Sequence, residues 1–320
     1  ARKKGLGLHI AILKKGLETE VCIRNSLIDF YAKCGWLLEA RGIFQKIPVQ
    51  DIVSWNALIA GYAQWGQCDE ALNCLRQMQR EGHSPNTITF VSILKACGAT
   101  GAIEEGLHIH QEIIARGLLE KDLMLGNVLV DMYAKCGMFA KAQEVLEGLP
   151  AQSVAAWNAL ITGYAQQRQC NNALNCYDHM LREGVAPDVV TFICIVHVCG
   201  STGAIDKGKE IHDEIVHRGL LREDSMLGNA LIDMYAKSGK LTKARQVLED
   251  LPFRNVVVWN ALIAGYAEHE RCWKQALLCF QRMRCLGVSP NAVTYVCILK
   301  ACGRNNMIMG RTSVGEEIYN

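Results

Sequence analysis

The sequence predicts an all-α fold: an α-solenoid superhelix of stacked helix-turn-helix repeats. Three observations predict it. One nonapeptide recurs, as WNALIAGYA from Trp55, WNALITGYA from Trp157 and WNALIAGYA from Trp259, at a fixed spacing of 102 residues. Two further phrases return in step with it: NSLIDFYAKCG from Asn25, NVLVDMYAKCG from Asn127 and NALIDMYAKSG from Asn229; and TFVSILKACG from Thr89, TFICIVHVCG from Thr191 and TYVCILKACG from Thr294. Finally, the apolar residues inside these phrases fall at helical spacing. Self-similarity at a fixed period marks an array of small units, each leaning on its neighbours.

The 102-residue block divides into three units, 123–153, 154–188 and 189–224. On that register the chain reads as one domain over 1–320. A partial unit spans 1–20; complete units follow at 21–51, 52–86, 87–122, 123–153, 154–188, 189–224, 225–255 and 256–291, and a partial one spans 292–320. Each unit reads as two helices. In 52–86 the first carries Trp55, Leu58, Ile59 and Tyr62, one stripe of an amphipathic helix. The second carries Ala71, Leu72, Leu75 and Met78. Gly82 and Pro85 then punctuate the unit, and Gly184/Pro187 and Gly287/Pro290 repeat the pattern. Units end in Asp, Asn or Ser, where the next helix wants an N-cap. Residues 1–20 match the second helix of a unit, since GLGLHIAILKKG from Gly5 aligns with GLHIHQEIIARG from Gly106. No hairpin can bury its stripe alone; stacking about nine of them does so.

Half of the residues are apolar and the net charge is +2, so bulk charge neither announces nor excludes a nucleic-acid partner. No apolar run is long enough to span a membrane. Fifteen cysteines include no C-x-x-C, and several fall on the repeat (Cys34/Cys136, Cys68/Cys170/Cys272, Cys97/Cys199). Equivalent places in a stack do not face one another, so these read as small buried apolar side chains rather than disulfide or metal sites.

The phrases resemble the pentatricopeptide repeat family. WNALIAGYA with its later EAL, Gly and Pro-Asn is similar to the P-type motif, NxLIDMYAKCG to the S type, and TFVSILKACG with GxxIH to the L type. The order S-P-L resembles the PLS subclass of plants, the type of the organellar RNA-editing factors. That resemblance implies single-stranded RNA binding in mitochondria or chloroplasts, one base per unit, with RNA running 5′ to 3′ along the chain. It further implies that the fifth and last residues of a unit read the base. These are Asn25/Asp51, Asn56/Asn86, Asn127/Ser153, Asn158/Asp188, Asn229/Asn255 and Asn260/Asn291, with weaker L-unit positions at Val91/Asp122, Ile193/Asp224 and Val296. By the family code Asn with Asp implies U, Asn with Asn implies C, and Asn with Ser a pyrimidine. The expected target is 5′-U-C-n-Y-U-n-C-C-3′.

An asparagine is a poor residue inside a helix, because its amide competes for backbone hydrogen bonds. The six fifth-position asparagines lie beside the apolar stripe, where an amide can serve the polar edge of a pyrimidine; a solvated helix start would also accept them. The last-position residues are N-cap candidates as well, and the two roles can coexist. By resemblance, the second residues Val53, Ile88, Met124, Val190, Met226 and Val257 wedge between bases; ordinary core packing is the alternative reading. Lys33, Lys135 and Lys237, one in each S unit, are expected either to meet phosphates or to lie on a solvated face.

No catalytic residue, cofactor or metal is expected. His110–Glu112 and His212–Glu214 match the H-x-E half of a zinc-deaminase signature, but no P-C-x-x-C follows, and the 102-residue repeat already explains both. A deaminase domain would act in cis or in trans, and editing cofactor proteins are possible partners of the L units. The alternatives are an RNA stability or splicing factor of the same family, and a protein-interaction scaffold.

Overall fold

The structure is a computed structural model; it describes residues 2–17, 20–47, 49–222, 225–269 and 272–309, with backbone alone over 2–4 and 304–309. These residues form eighteen α-helices and no strand. The helices are α1 (Arg2–Lys14), α2 (Val21–Cys34), α3 (Leu37–Gln45), α4 (Ile52–Gln64), α5 (Cys68–Arg80), α6 (Thr87–Thr100), α7 (Ile103–Ala115), α8 (Leu123–Lys135), α9 (Phe139–Gly148), α10 (Val154–Gln166), α11 (Cys170–Arg182), α12 (Val189–Thr202), α13 (Ile205–His217), α14 (Ser225–Lys237), α15 (Leu241–Asp250), α16 (Val256–Glu268), α17 (Trp273–Cys285) and α18 (Ala292–Met309). The chain divides into two compact units, residues 1–167 and 168–320.

In the first unit, α2, α4, α6, α8 and α10 pack one on the next, and each hairpin's second helix lies against its own first helix and the following one. The second unit repeats this with α12, α14, α16 and α18. The first helices therefore form a row within each unit. The core of the first unit includes fully buried Trp55, Phe90, Tyr133 and Trp157, and that of the second includes Phe192, Tyr235 and Trp259. Burying each such ring stabilises by about 2–3 kcal/mol.

Neighbouring first helices approach closely because the repeated phrases place small residues where they cross. A Cβ built on Gly61 would lie 2.5 Å from the Ala32 Cβ, one on Gly163 would lie 2.8 Å from the Ala134 Cβ, and one on Gly265 would lie 2.5 Å from the Ala236 Cβ. The glycine of WNALIAGYA is thus matched to the alanine of YAK in the preceding unit. Gly61→Ala is expected to push α4 from α2 and to cost about 1–3 kcal/mol of stability in chemical denaturation, as overpacking does. A neutral result would show that the two helices can separate freely.

Helix ends follow the local chemistry. Gly82 is left-handed at φ +83°, its N–H bonds to the Gln79 carbonyl and that of His83 to the Met78 carbonyl, which closes α5 in a Schellman turn. All fifteen cysteines are reduced, and Cys68, Cys74, Cys97, Cys176, Cys199 and Cys297 are buried. Cys22 and Cys285 depart from the buried reading, since both are exposed.

Candidate nucleic-acid interface

At about 100° per residue, the second, fifth, ninth and thirteenth positions of a first helix share one face. The fifth-position residues of the first unit show what the fold does with them. Asn56 Nδ2 donates to Asn86 Oδ1 at 3.2 Å, while Asn56 Oδ1 accepts from the Thr89 hydroxyl at 2.6 Å. Asn86 Oδ1 also accepts from the Thr89 backbone N–H at 3.1 Å, as the N-cap of α6. The second unit repeats this around Asn260. Its Nδ2 donates to Asn291 Oδ1 at 3.1 Å and its Oδ1 accepts from Thr294 at 2.6 Å. Asn291 Oδ1 receives the Thr294 N–H at 3.1 Å. Asn56 and Asn260 are 8% exposed, so these amides are held rather than waving in solvent.

The consequence is chemical. Two donors, the fifth-position amide and the threonine N–H, converge on the Oδ1 of Asn86 and of Asn291, which leaves their Nδ2 groups to donate outward. Last-position asparagines at these sites are therefore presented as donors.

The S units use a simpler pair. Asn25 Nδ2 reaches both carboxylate oxygens of Asp51, at 3.3 and 3.2 Å, and Asn127 Oδ1 accepts from the Ser153 hydroxyl at 2.7 Å. Asp51 caps α4 through the Ser54 N–H at 2.7 Å. Burial pushes the Asp51 carboxyl up, but the Ser54 N–H, the Asn25 amide and the Ser54 hydroxyl outweigh it, and the group sits below the usual carboxylate range. It is an acceptor at neutral pH. Asn229 differs. Its Oδ1, like that of Asn25, is buried without a partner among the described residues, but its amide makes no bond to the last-position side chain, and Asn255 instead caps α16 through the N–H groups of Val257 and Val258. Val258 stands where Ser54 and Thr89 supply a hydroxyl elsewhere, so the cap lacks a second anchor.

The remaining candidates fall as follows. Asn158 is half-buried on α10, and Asp188 is exposed and caps α12 through Thr191. Asp122 caps α8 through the Met124 N–H, and Ser153 caps α10 through Ala156. Val91 and Ile193 are half-buried and Val296 is exposed; Asp224 lies outside the described residues. Val53, Ile88, Met124, Val190, Met226 and Val257 are all between 52% and 63% exposed, so core packing does not hold them. Val293, at the same place in its unit, joins them at 54%, and Cys22 is exposed at the second position of 21–51. Within each unit, exposed apolar tips recur on the face that carries the asparagines, an arrangement suited to contacting flat, apolar surfaces.

Lys33, Lys135 and Lys237 each donate to the aspartate one turn earlier, Asp29, Asp131 and Asp233, at 2.7 Å. Their charge is locally neutralised. Asp233 also faces His197 at 3.6 Å. The same face carries Lys95 and Lys300 at the ninth position of L units, exposed and with no ion pair among the described residues.

The H-x-E residues are structural. His110 Nδ1 hydrogen-bonds the Tyr133 hydroxyl at 2.7 Å, His212 that of Tyr235 at 2.9 Å, and Glu112 and Glu214 pair with Arg116 and Arg218. Burial, and then Lys141 near His110, holds both imidazoles below their usual range; burial is also the main cause at His212. The unfolded chain takes up these protons near pH 6.5, the fold only below it, so the unfolded state binds more protons in that window. Stability is therefore expected to fall as pH drops below about 6.5. A His110→Gln/His212→Gln variant should show a flatter dependence of melting temperature between pH 7 and pH 5; an unchanged slope would place the acid sensitivity elsewhere.

Comparison with known proteins agrees with this fold. The fold matches the crystal structure of the maize pentatricopeptide repeat protein PPR10, with a TM-score of 0.74 at 18% identity over 97% of this chain and 45% of that one. PPR10 in complex with an 18-nt psaJ RNA element gives 0.69 at 20% identity, over 95% and 46% of the two chains. Among relatives from Arabidopsis thaliana, a mitochondrial pentatricopeptide repeat-containing protein is 36% identical over 293 residues, 92% of this chain and 46% of its own length. A chloroplastic one is 34% identical over 303 residues, 95% and 49% of the two lengths. The chain thus spans about half the length of these relatives. The PPR repeat family matches residues 50–99, 152–201 and 254–304, and the PPR repeat matches 23–52, 88–118, 127–151 and 229–256. With most of its length matched, the chain belongs to the pentatricopeptide repeat family.

Proposed function

We propose that the chain binds single-stranded RNA in a sequence-specific manner, one base per unit, at a site close to 5′-U-C-n-Y-U-n-C-C-3′, and so selects positions for organellar C-to-U editing. The observation that carries this reading is the convergence of two N–H donors on the Oδ1 of Asn86 and of Asn291. Each amide is left as a donor, suited to the N3 and O2 acceptors of cytosine, whereas a carboxylate at Asp51 or Asp188 suits the N3–H of uracil. The exposed row from Val53 to Val257 supplies surfaces for bases to lie against. In the complex of PPR10, a family member of matching fold binds RNA.

Deamination belongs to another domain or protein. Editing cofactor proteins are proposed to meet the L units, whose fifth residues are apolar. The mitochondrial and chloroplastic names of the relatives support an organelle as the place of action.

The test is a titration with RNA containing UCACUACC, against a control with purines at the coded positions. A preference of about tenfold or more, worth about 1.4 kcal/mol, is expected. Equal affinity for the two would overturn base reading and favour a protein-binding role.

A further inference from the structure

Each P unit's last residue follows a proline, and in two of them an arginine from the next unit grips that proline's carbonyl. Arg116, just after α7, donates from Nη1 to the Pro85 carbonyl at 3.2 Å. Its Nη2 pairs with Glu112, and its guanidinium lies over the Phe90 ring, 5.4 Å from the centroid. Glu112 is held in turn by Gln79 of α5 at 3.0 Å. Arg218 repeats the arrangement, with Nη1 to the Pro187 carbonyl at 3.1 Å, Nε to Glu214 at 2.6 Å and the Phe192 ring at 5.3 Å.

The grip falls on one peptide plane. The carbonyl of Pro85 and the N–H of Asn86 belong to the same rigid unit. The arginine holds the carbonyl, and the N–H donates to the Thr89 hydroxyl at 3.2 Å. At Asp188 the N–H donates to the Thr191 hydroxyl, also at 3.2 Å. Pinned at both ends, the plane fixes the direction in which the Asn86 or Asp188 side chain leaves the backbone. A planar fork suits this task, since one guanidinium bonds a carboxylate and a carbonyl while stacking on a ring. Among the described residues no arginine holds the corresponding carbonyls of Gln50, Gln152 or Arg254, which precede the last residues of S units.

We propose that Arg116 and Arg218 are specificity-positioning residues: each L unit, silent at its own base, locks the last residue of the P unit before it. The proposal rests on the base-reading function above, and on it P units discriminate more sharply than S units.

The test measures affinity for RNAs varied one base at a time, for wild type, Arg116→Leu, Arg116→Lys and Arg218→Leu. Arg116→Leu should reduce discrimination at the Asn56/Asn86 base from about tenfold or more to about threefold or less, while the Asn25/Asp51 base changes by less than about twofold. Arg218→Leu should do the same only at the Asn158/Asp188 base. Arg116→Lys keeps the charge but not the fork, and should behave as the leucine variant does. A uniform loss at every base, or full discrimination in the lysine variant, would overturn the proposal. Amide hydrogen exchange separates it from the RNA reading: exchange at Asn86 and Thr89 should accelerate about tenfold or more in Arg116→Leu, with α2 and α3 unaffected. If wild type shows no base preference, the RNA reading fails and exchange alone decides the clamp; unchanged exchange at Asn86 sinks it.

Discussion

Asn86→Asp is expected to turn the preference of its unit from C to U. The structure already shows the replacement side chain in the same setting. Asp188 caps α12 through the Thr191 N–H and hydroxyl, both at 2.9 Å, as Asn86 caps α6 through Thr89. A carboxylate oxygen can therefore take over the two N–H bonds now made to Asn86 Oδ1, and a negative charge at the start of a helix is favourable. What changes is the outward group, from the Nδ2 donor to a second acceptor oxygen. If each preference is about tenfold, the swing is about a hundredfold, or about 2.7 kcal/mol. Competition binding with RNAs differing only at that base reads it directly. A variant that keeps its melting temperature but still prefers C would show that this atom does not select the base.

Trp55→Ala is expected to cost about 3–5 kcal/mol, the range for emptying a large buried ring site. Trp55 is fully buried and meets the Phe44 ring edge-on at 4.5 Å between centroids. Trp55→Phe should cost far less, because the indole Nε1 has no hydrogen-bond partner to lose. Because the array packs neighbour on neighbour, the damage should concentrate between α2 and α6. Hydrogen exchange resolved by helix, alongside chemical denaturation, tests both statements. A loss below about 1 kcal/mol, or one spread evenly over the chain, would contradict them. RNA affinity should fall too, since Asn56 follows Trp55 directly.

Much of this was legible because the sequence says everything three times. The period gave the hairpins, and turn and cap residues gave their ends: Asp51 and Asn86 are N-caps and also hydrogen-bond partners of Asn25 and Asn56. Thr89 and Thr294 were missed as anchors of the fifth-position amide. They lie more than thirty residues from Asn56 and Asn260, and only packing of one first helix on the next brings them together. The ion pairs of Lys33, Lys135 and Lys237 had a visible signal, an aspartate four residues before each, which is the spacing of neighbours on a helix. Exposure of Val53 and its counterparts was undecidable from periodicity, since an apolar residue at the edge of a stripe can face in or out.

Tying the capping oxygen into the fold has an evolutionary consequence. Asparagine and aspartate codons differ at one nucleotide, and at Asn86 or Asn291 the exchange alters the outward atom while the helix start keeps its bonds. A single point mutation can therefore reassign one letter of the recognised sequence with little loss of stability. An array of this kind can follow a drifting target site one position at a time, without passing through an unfolded ancestor.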